Sequence, residues 1–225
     1  MTRTGSEWRV ATESGETNVA WEPATADGPG TVFVCAHGAG GHMGDRALLG
    51  LSAVLRPRGI DVVRFNFFYR ELGSGRPDPM PRLLSCLSAV VSRVREELQP
   101  DLLMIGGRSM GGRAASVLAA EGYPCHGVLL FAYPLHPPGQ PGKLRTSHLS
   151  SIKAPVLCFN GTRDAFCRRD LMEAAVIPLA DRWTMHWLEG ADHSFHVPKR
   201  SGTTDAALLA EVGDRTQDWI SKLSR

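Results

Sequence analysis

Apolar residues in this chain gather into short, nearly continuous runs separated by polar, glycine-containing joints. Residues 31–36, 60–66, 101–106, 127–132 and 155–160 are runs of this kind, rich in Val, Ile, Leu and Phe. Runs that short, apolar without alternation, predict strands buried on both faces, as in a parallel sheet. Between them, segments near 45–58, 80–98, 110–121, 168–176 and 204–223 carry apolar residues at helical spacing. The stretch Trp183-Thr-Met-His-Trp-Leu188 alternates and predicts a further strand, and Trp8 to Ala24 predicts two short antiparallel strands about Ser14-Gly15. In the last helix, Ala206, Leu209, Val212, Trp219 and Leu223 mark the expected packed face. Strand and helix in alternation predict an α/β fold: a mostly parallel sheet with helices on both faces.

Composition narrows the classes. The 225 residues show no repeat or low-complexity tract and suit one domain spanning 1–225. A net charge of +2 gives no general pull toward nucleic acid or membrane. The first residues lack the apolar core of a signal peptide, and no apolar stretch approaches the ~20 residues that span a bilayer. The five cysteines, Cys35, Cys86, Cys125, Cys158 and Cys167, are odd in number and unpaired in spacing. Reduced thiols and a cytoplasmic location are the resulting expectation.

The candidate chemistry begins at Asp101-Leu-Leu-Met-Ile-Gly-Gly-Arg-Ser-Met-Gly-Gly-Arg113. An apolar strand runs into Gly107-Arg-Ser-Met-Gly111, and a small-residue helix follows at once. This is the pattern of a nucleophile elbow, with Ser109 at the tip of a tight strand-to-helix turn. An acid and a base should then follow in that order. Asp164 stands just past the apolar run 155–160, and His193 stands in a loop after Trp183–Leu188. Asp164 would also suit a turn or a helix N-cap, and His196 lies close enough to compete with His193. Asp192, adjacent to His193, reads as a turn residue. Upstream, strand 31–36 leads into His37-Gly-Ala-Gly-Gly41, where bare backbone can donate to an oxyanion. The donors expected are the N–H groups of Met110 and of Ala39 or its neighbour Gly40, with His37 bracing the loop. His136 and His148 have no carboxylate or cysteine at ligand spacing, so no metal site is expected.

These motifs resemble those of the α/β hydrolases, from about Thr31 to the C-terminus. More narrowly, the chain resembles the small KANL/Tex-type branch, related to dienelactone-hydrolase-like proteins. The resemblance rests on His37-Gly-Ala-Gly-Gly, Gly107-Arg-Ser-Met-Gly-Gly-Arg, Tyr133-Pro-Leu-His-Pro-Pro-Gly, Lys143-Leu-Arg-Thr-Ser-His-Leu and Gly161-Thr-Arg-Asp. It implies an α/β-hydrolase fold and a Ser109-His193-Asp164 triad. It implies a substrate poorly, because members of the branch serve as interaction modules. Dienelactone hydrolases carry a cysteine nucleophile where this chain has Ser109.

Larger α/β hydrolases place a helical cap after the sixth strand. Here residues 134–149 occupy that position, with four prolines and two glycines, and predict a loop with no cap domain. A shallow, open cleft is the expectation. Arg70, Arg76, Arg108, Lys143, Arg145 and Arg163 fall around it and point to an anionic group on the substrate or partner. Gly40, Arg108, Lys143 and Arg145 are the substrate-binding candidates. The expected reaction is hydrolysis of small acyl esters or thioesters through an acyl-enzyme, without a cofactor. A protein-binding module on a hydrolase fold is the competing class; lactone hydrolysis and peptide hydrolysis are further enzyme readings.

Overall fold

The apolar runs are strands. In the computed structural model, which describes residues 4–223, eight strands form one sheet in the order β1-β2-β4-β3-β5-β6-β7-β8. β1 (Ser6–Thr12) and β2 (Gly15–Glu22) make the antiparallel hairpin expected about Ser14-Gly15, and β2 runs antiparallel to β4. The remaining strands are parallel: β3 (Thr31–Ala36), β4 (Ile60–Phe65), β5 (Leu102–Arg108), β6 (Gly127–Phe131), β7 (Val156–Gly161) and β8 (Trp183–Leu188). Every residue of β3, β4, β6 and β7 is buried, which is why their sequences do not alternate.

Helices cover both faces. On one, α1 (Arg46–Leu55) and α6 (Asp205–Leu223) bring Leu48, Leu51, Val212 and Trp219 into one cluster with Phe33, Leu129 and Phe159. On the other, α3 (Met80–Leu98), α4 (Met110–Ala120) and α5 (Arg169–Val176) bring Leu87, Leu118 and Met172 together with Val34, Ile105 and Leu130. A four-residue helix, α2 (Phe68–Glu71), is too short to leave a period in the sequence.

The packed face of α6 differs from the expected one. Its buried residues are Leu208, Val212, Gly213, Thr216, Trp219 and Ile220, while Ala206 is exposed and Leu209 and Leu223 are half-buried. Thr216 fills the stripe because its hydroxyl donates 2.7 Å to the Val212 carbonyl, so a polar residue packs there without an unmet partner.

The parallel strands end together at Ala36, Phe65, Arg108, Phe131, Gly161 and Leu188. Ligands bind along that carboxyl edge in open α/β sheets. Residues 134–148, after β6, contain no helix, and there is no separate cap domain over the edge. Among the described residues, no helix is long and apolar enough to cross a membrane, and all five cysteines are free thiols.

Candidate active site

Ser109 joins β5 to α4 with φ 52° and ψ −115°, a strained conformation for a residue with a side chain. The turn fits because its neighbours are bare. A Cβ at Gly107 would lie 2.2 Å from the Ala36 carbonyl oxygen, and one at Gly111 would lie 2.4 Å from the same atom. The turn is pinned on both sides, by Ser109 N–H to the Phe131 carbonyl and Arg113 N–H to the Ser109 carbonyl, both 2.9 Å.

His193 meets this serine. Its Nε2 is 2.9 Å from Ser109 Oγ, and its Nδ1 is 2.9 and 2.8 Å from the two oxygens of Asp164. A proton on Nδ1 satisfies the carboxylate and leaves the Nε2 lone pair to accept from the serine hydroxyl. The Asp164 side chain is fully buried. It also accepts from Phe166 N–H (2.8 Å) and from the Asn160 amide (3.2 Å). Asn160 is itself fixed by two 3.1 Å bonds to the backbone of Tyr133. The Phe166 ring lies over the imidazole with centroids 4.3 Å apart. Sequence reasoning missed both residues, although an asparagine inside a wholly buried strand was a visible signal.

The rivals are engaged elsewhere. His196 pairs with Asp205 at 2.9 Å. Asp192 accepts from Ser194 N–H (2.7 Å) and His196 N–H (3.1 Å), so it closes the turn carrying His193.

The loop after β3 lies against the elbow. A Cβ on Gly38 would sit 3.6 Å from that of Ser109. Gly41 N–H donates to the Gly38 carbonyl, leaving Ala39 and Gly40 exposed at the tip of a turn, with Gly40 at φ 71°. His37 braces the loop: Nδ1 donates to the Gly38 carbonyl (2.8 Å) and Nε2 accepts from Phe67 N–H (3.0 Å).

Burial pushes the His37 pKa down from 6.5 to about 4, so the ring is neutral at pH 7. The unfolded chain therefore takes up this proton first as pH falls. Its contribution is complete above the unfolded value and is lost on descending toward the folded one. By pH 4 the loss is about 3 kcal/mol. Urea midpoints at pH 7 and 4.5 should diverge less in His37→Asn than in the wild type. Equal divergence in both would remove His37 as the source.

The basic candidates separate. Arg108 Nη2 donates to the His193 carbonyl (2.9 Å) and to Ser194 Oγ (3.3 Å), and burial lowers its pKa. It lines a cavity of about 510 Å³ between the first turns of α1 and α6. Lys143, Arg145 and Gly40 do not line it. Lys143 is exposed, and the Arg145 guanidinium donates 3.2 Å to the Pro134 carbonyl. Among the described residues, no group of three or more His, Cys, Asp or Glu is placed to hold a metal ion. His148 Nε2 is 2.8 Å from Ser116 Oγ, and His136 Nε2 accepts from Arg168 N–H.

A family model described as an alpha/beta hydrolase domain matches residues 29–221. Solved structures share the architecture over nearly their whole length. A serine hydrolase homologue from Coxiella burnetii has a TM-score of 0.76 at 20% identity, covering 98% of this chain and 99% of its own. A lidless serine hydrolase from Xanthomonas campestris has 0.75 at 24% identity, covering 97% and 96%. A dienelactone hydrolase from Anabaena variabilis has 0.69 at 18% identity, covering 97% of each chain. At these identities the likeness is one of fold.

Proposed function

The chain belongs to the alpha/beta hydrolase family and is an enzyme of the hydrolase class, and we propose that it cleaves esters or thioesters of small acyl groups through Ser109, His193 and Asp164. The observation that carries the reading is the continuous path from a buried carboxylate through both imidazole nitrogens to Ser109 Oγ, each step under 3 Å. Ser109 Oγ attacks the acyl carbonyl while His193 Nε2 takes its proton. Asp164 keeps the other proton on Nδ1 and stabilises the imidazolium. The tetrahedral oxyanion receives the N–H groups of Met110 and Ala39. Gly40, its neighbour in the same exposed turn, is the alternative second donor. His193 returns its proton to the leaving group, and the acyl-enzyme is then opened by water activated at the same nitrogen. None of these steps calls for a cofactor. The whole chain acts as one catalytic domain in this reading.

Esters and thioesters are preferred to amides because a site without a cap has little binding energy to spend on a poor leaving group. In a panel matched in leaving group, acetates and butyrates should exceed long-chain esters in kcat/KM. A carboxylate on the acyl group should gain from Arg108, and the gain should shrink at high salt. A clear preference for long neutral chains would refute this substrate reading. Absence of turnover on any ester, thioester or lactone, with no fluorophosphonate labelling, would favour the binding-module class.

A further inference from the structure

Arg108 stands between Ser109 and the cavity. Its Nη2 is anchored on the His193 carbonyl and Ser194 Oγ, in the loop after β8. Its Nη1 reaches the loop after β3, lying 3.4 Å from where a Cβ on Gly38 would be. The guanidinium thus bridges the two loops that flank Ser109. Behind it lies the cavity of about 510 Å³, with Leu51, Phe131, Phe195 and Leu209 among its walls. Arg108 and Ser194 contribute to those walls; Ser109 and His193 do not. A space of that size, largely apolar, matches the pockets that hold small ligands.

Asp164, Asp45 and Asp192 act on Arg108 through space, but its hydrogen bonds go to neutral acceptors. Of the two acids in the walls, Asp45 bonds to His42, and Asp205 bonds to His196 and Val197 N–H. The guanidinium is fixed by two neutral acceptors, each worth far less than a buried ion pair partner. Its removal would leave Asp164, Asp45 and Asp192 with their own hydrogen-bond partners.

We propose that Arg108 determines acyl-chain selectivity: its side chain closes an apolar acyl pocket off from Ser109, and shortening it opens that pocket to medium-chain and aromatic acyl groups. This rests on the hydrolase reading above. The mechanism is steric, since each methylene that enters an apolar pocket adds to selectivity severalfold.

The test is a series of p-nitrophenyl esters from acetate to octanoate, with benzoate added. It is run on the wild type, Arg108→Ala, Arg108→Ser, Arg108→Met, and Arg108→Ala combined with Ala47→Trp, which refills the cavity from α1. The readout is the ratio of kcat/KM for octanoate to that for acetate. A rise of about tenfold or more is expected in the Ala variant, and the Ser variant repeats the measurement should Ala fail to fold. Arg108→Met keeps the stem only as far as the Nε position and loses the bonds to the His193 loop, so its kcat should fall for every ester while the ratio rises less than in the Ala variant. Ala47→Trp should return the ratio toward the wild-type value.

An unchanged ratio in folded, fluorophosphonate-labelled Ala and Ser variants would overturn the proposal and leave the hydrolase reading standing. An equal rise in Arg108→Met would also overturn it, because length would then not be what closes the pocket. Failure of wild-type Ser109 to label would instead strike the hydrolase reading itself.

Discussion

Ser109→Ala is expected to abolish fluorophosphonate labelling and to lower kcat by on the order of 10⁶-fold, the scale on which a nucleophile acting as a unit with its base is lost. The fold should survive. The turn is pinned by backbone bonds to Phe131 and from Arg113, and alanine keeps both. The side chain contributes only the 2.9 Å contact to His193. Circular dichroism and the melting transition of the variant should therefore match the wild type closely, while active-site labelling and ester turnover disappear together. Undiminished labelling of the folded variant would mean that a different serine is activated.

Asp164→Asn should cost about 10⁴-fold in kcat with little change in KM. The carboxylate accepts from His193, Asn160 and Phe166 and donates to none of them. An amide in its place can turn its NH₂ toward the imidazole, which then accepts at Nδ1 and carries its proton on Nε2. That proton faces Ser109 Oγ, where a lone pair is required. The defect is one of tautomer, so binding of substrate should be nearly untouched. His196→Ala is the paired control: its ring bonds to Asp205 and is exposed, and its loss should change kcat by less than a few-fold. A large loss in His196→Ala beside a small one in Asp164→Asn would assign the charge pathway to the wrong loop.

Much of this arrangement could be read from local sequence. β3 to β7 announced themselves as nearly continuous apolar runs because the sheet is covered on both faces, and β8 as an alternating one. Ser109, Asp164 and His193 were visible because each follows a strand, and strand ends in a parallel sheet share an edge. What escaped was set by contacts distant along the chain. Arg108 read as one of several cleft arginines, yet its place is fixed by the His193 carbonyl, 85 residues away. Arg145 carries the same charge and turns to the Pro134 carbonyl of its own loop. The cavity between α1 and α6 has no sequence signature, since its walls come from five separate segments. Thr216 was passed over in α6 because a hydroxyl satisfied within its own helix packs as an apolar group does.

The backbone of Ser109 has a bearing on how this protein would respond to selection for robustness. At φ 52°, a glycine would sit with less strain than the serine, by about 1 kcal/mol or more. The residue proposed as the nucleophile is thus one the fold alone would replace. A screen rewarding only heat tolerance or expression should enrich Ser109→Gly and quietly discard the chemistry. Thermal improvement of this enzyme has to be scored with labelling in the same assay, or its best-ranked variants will include dead ones.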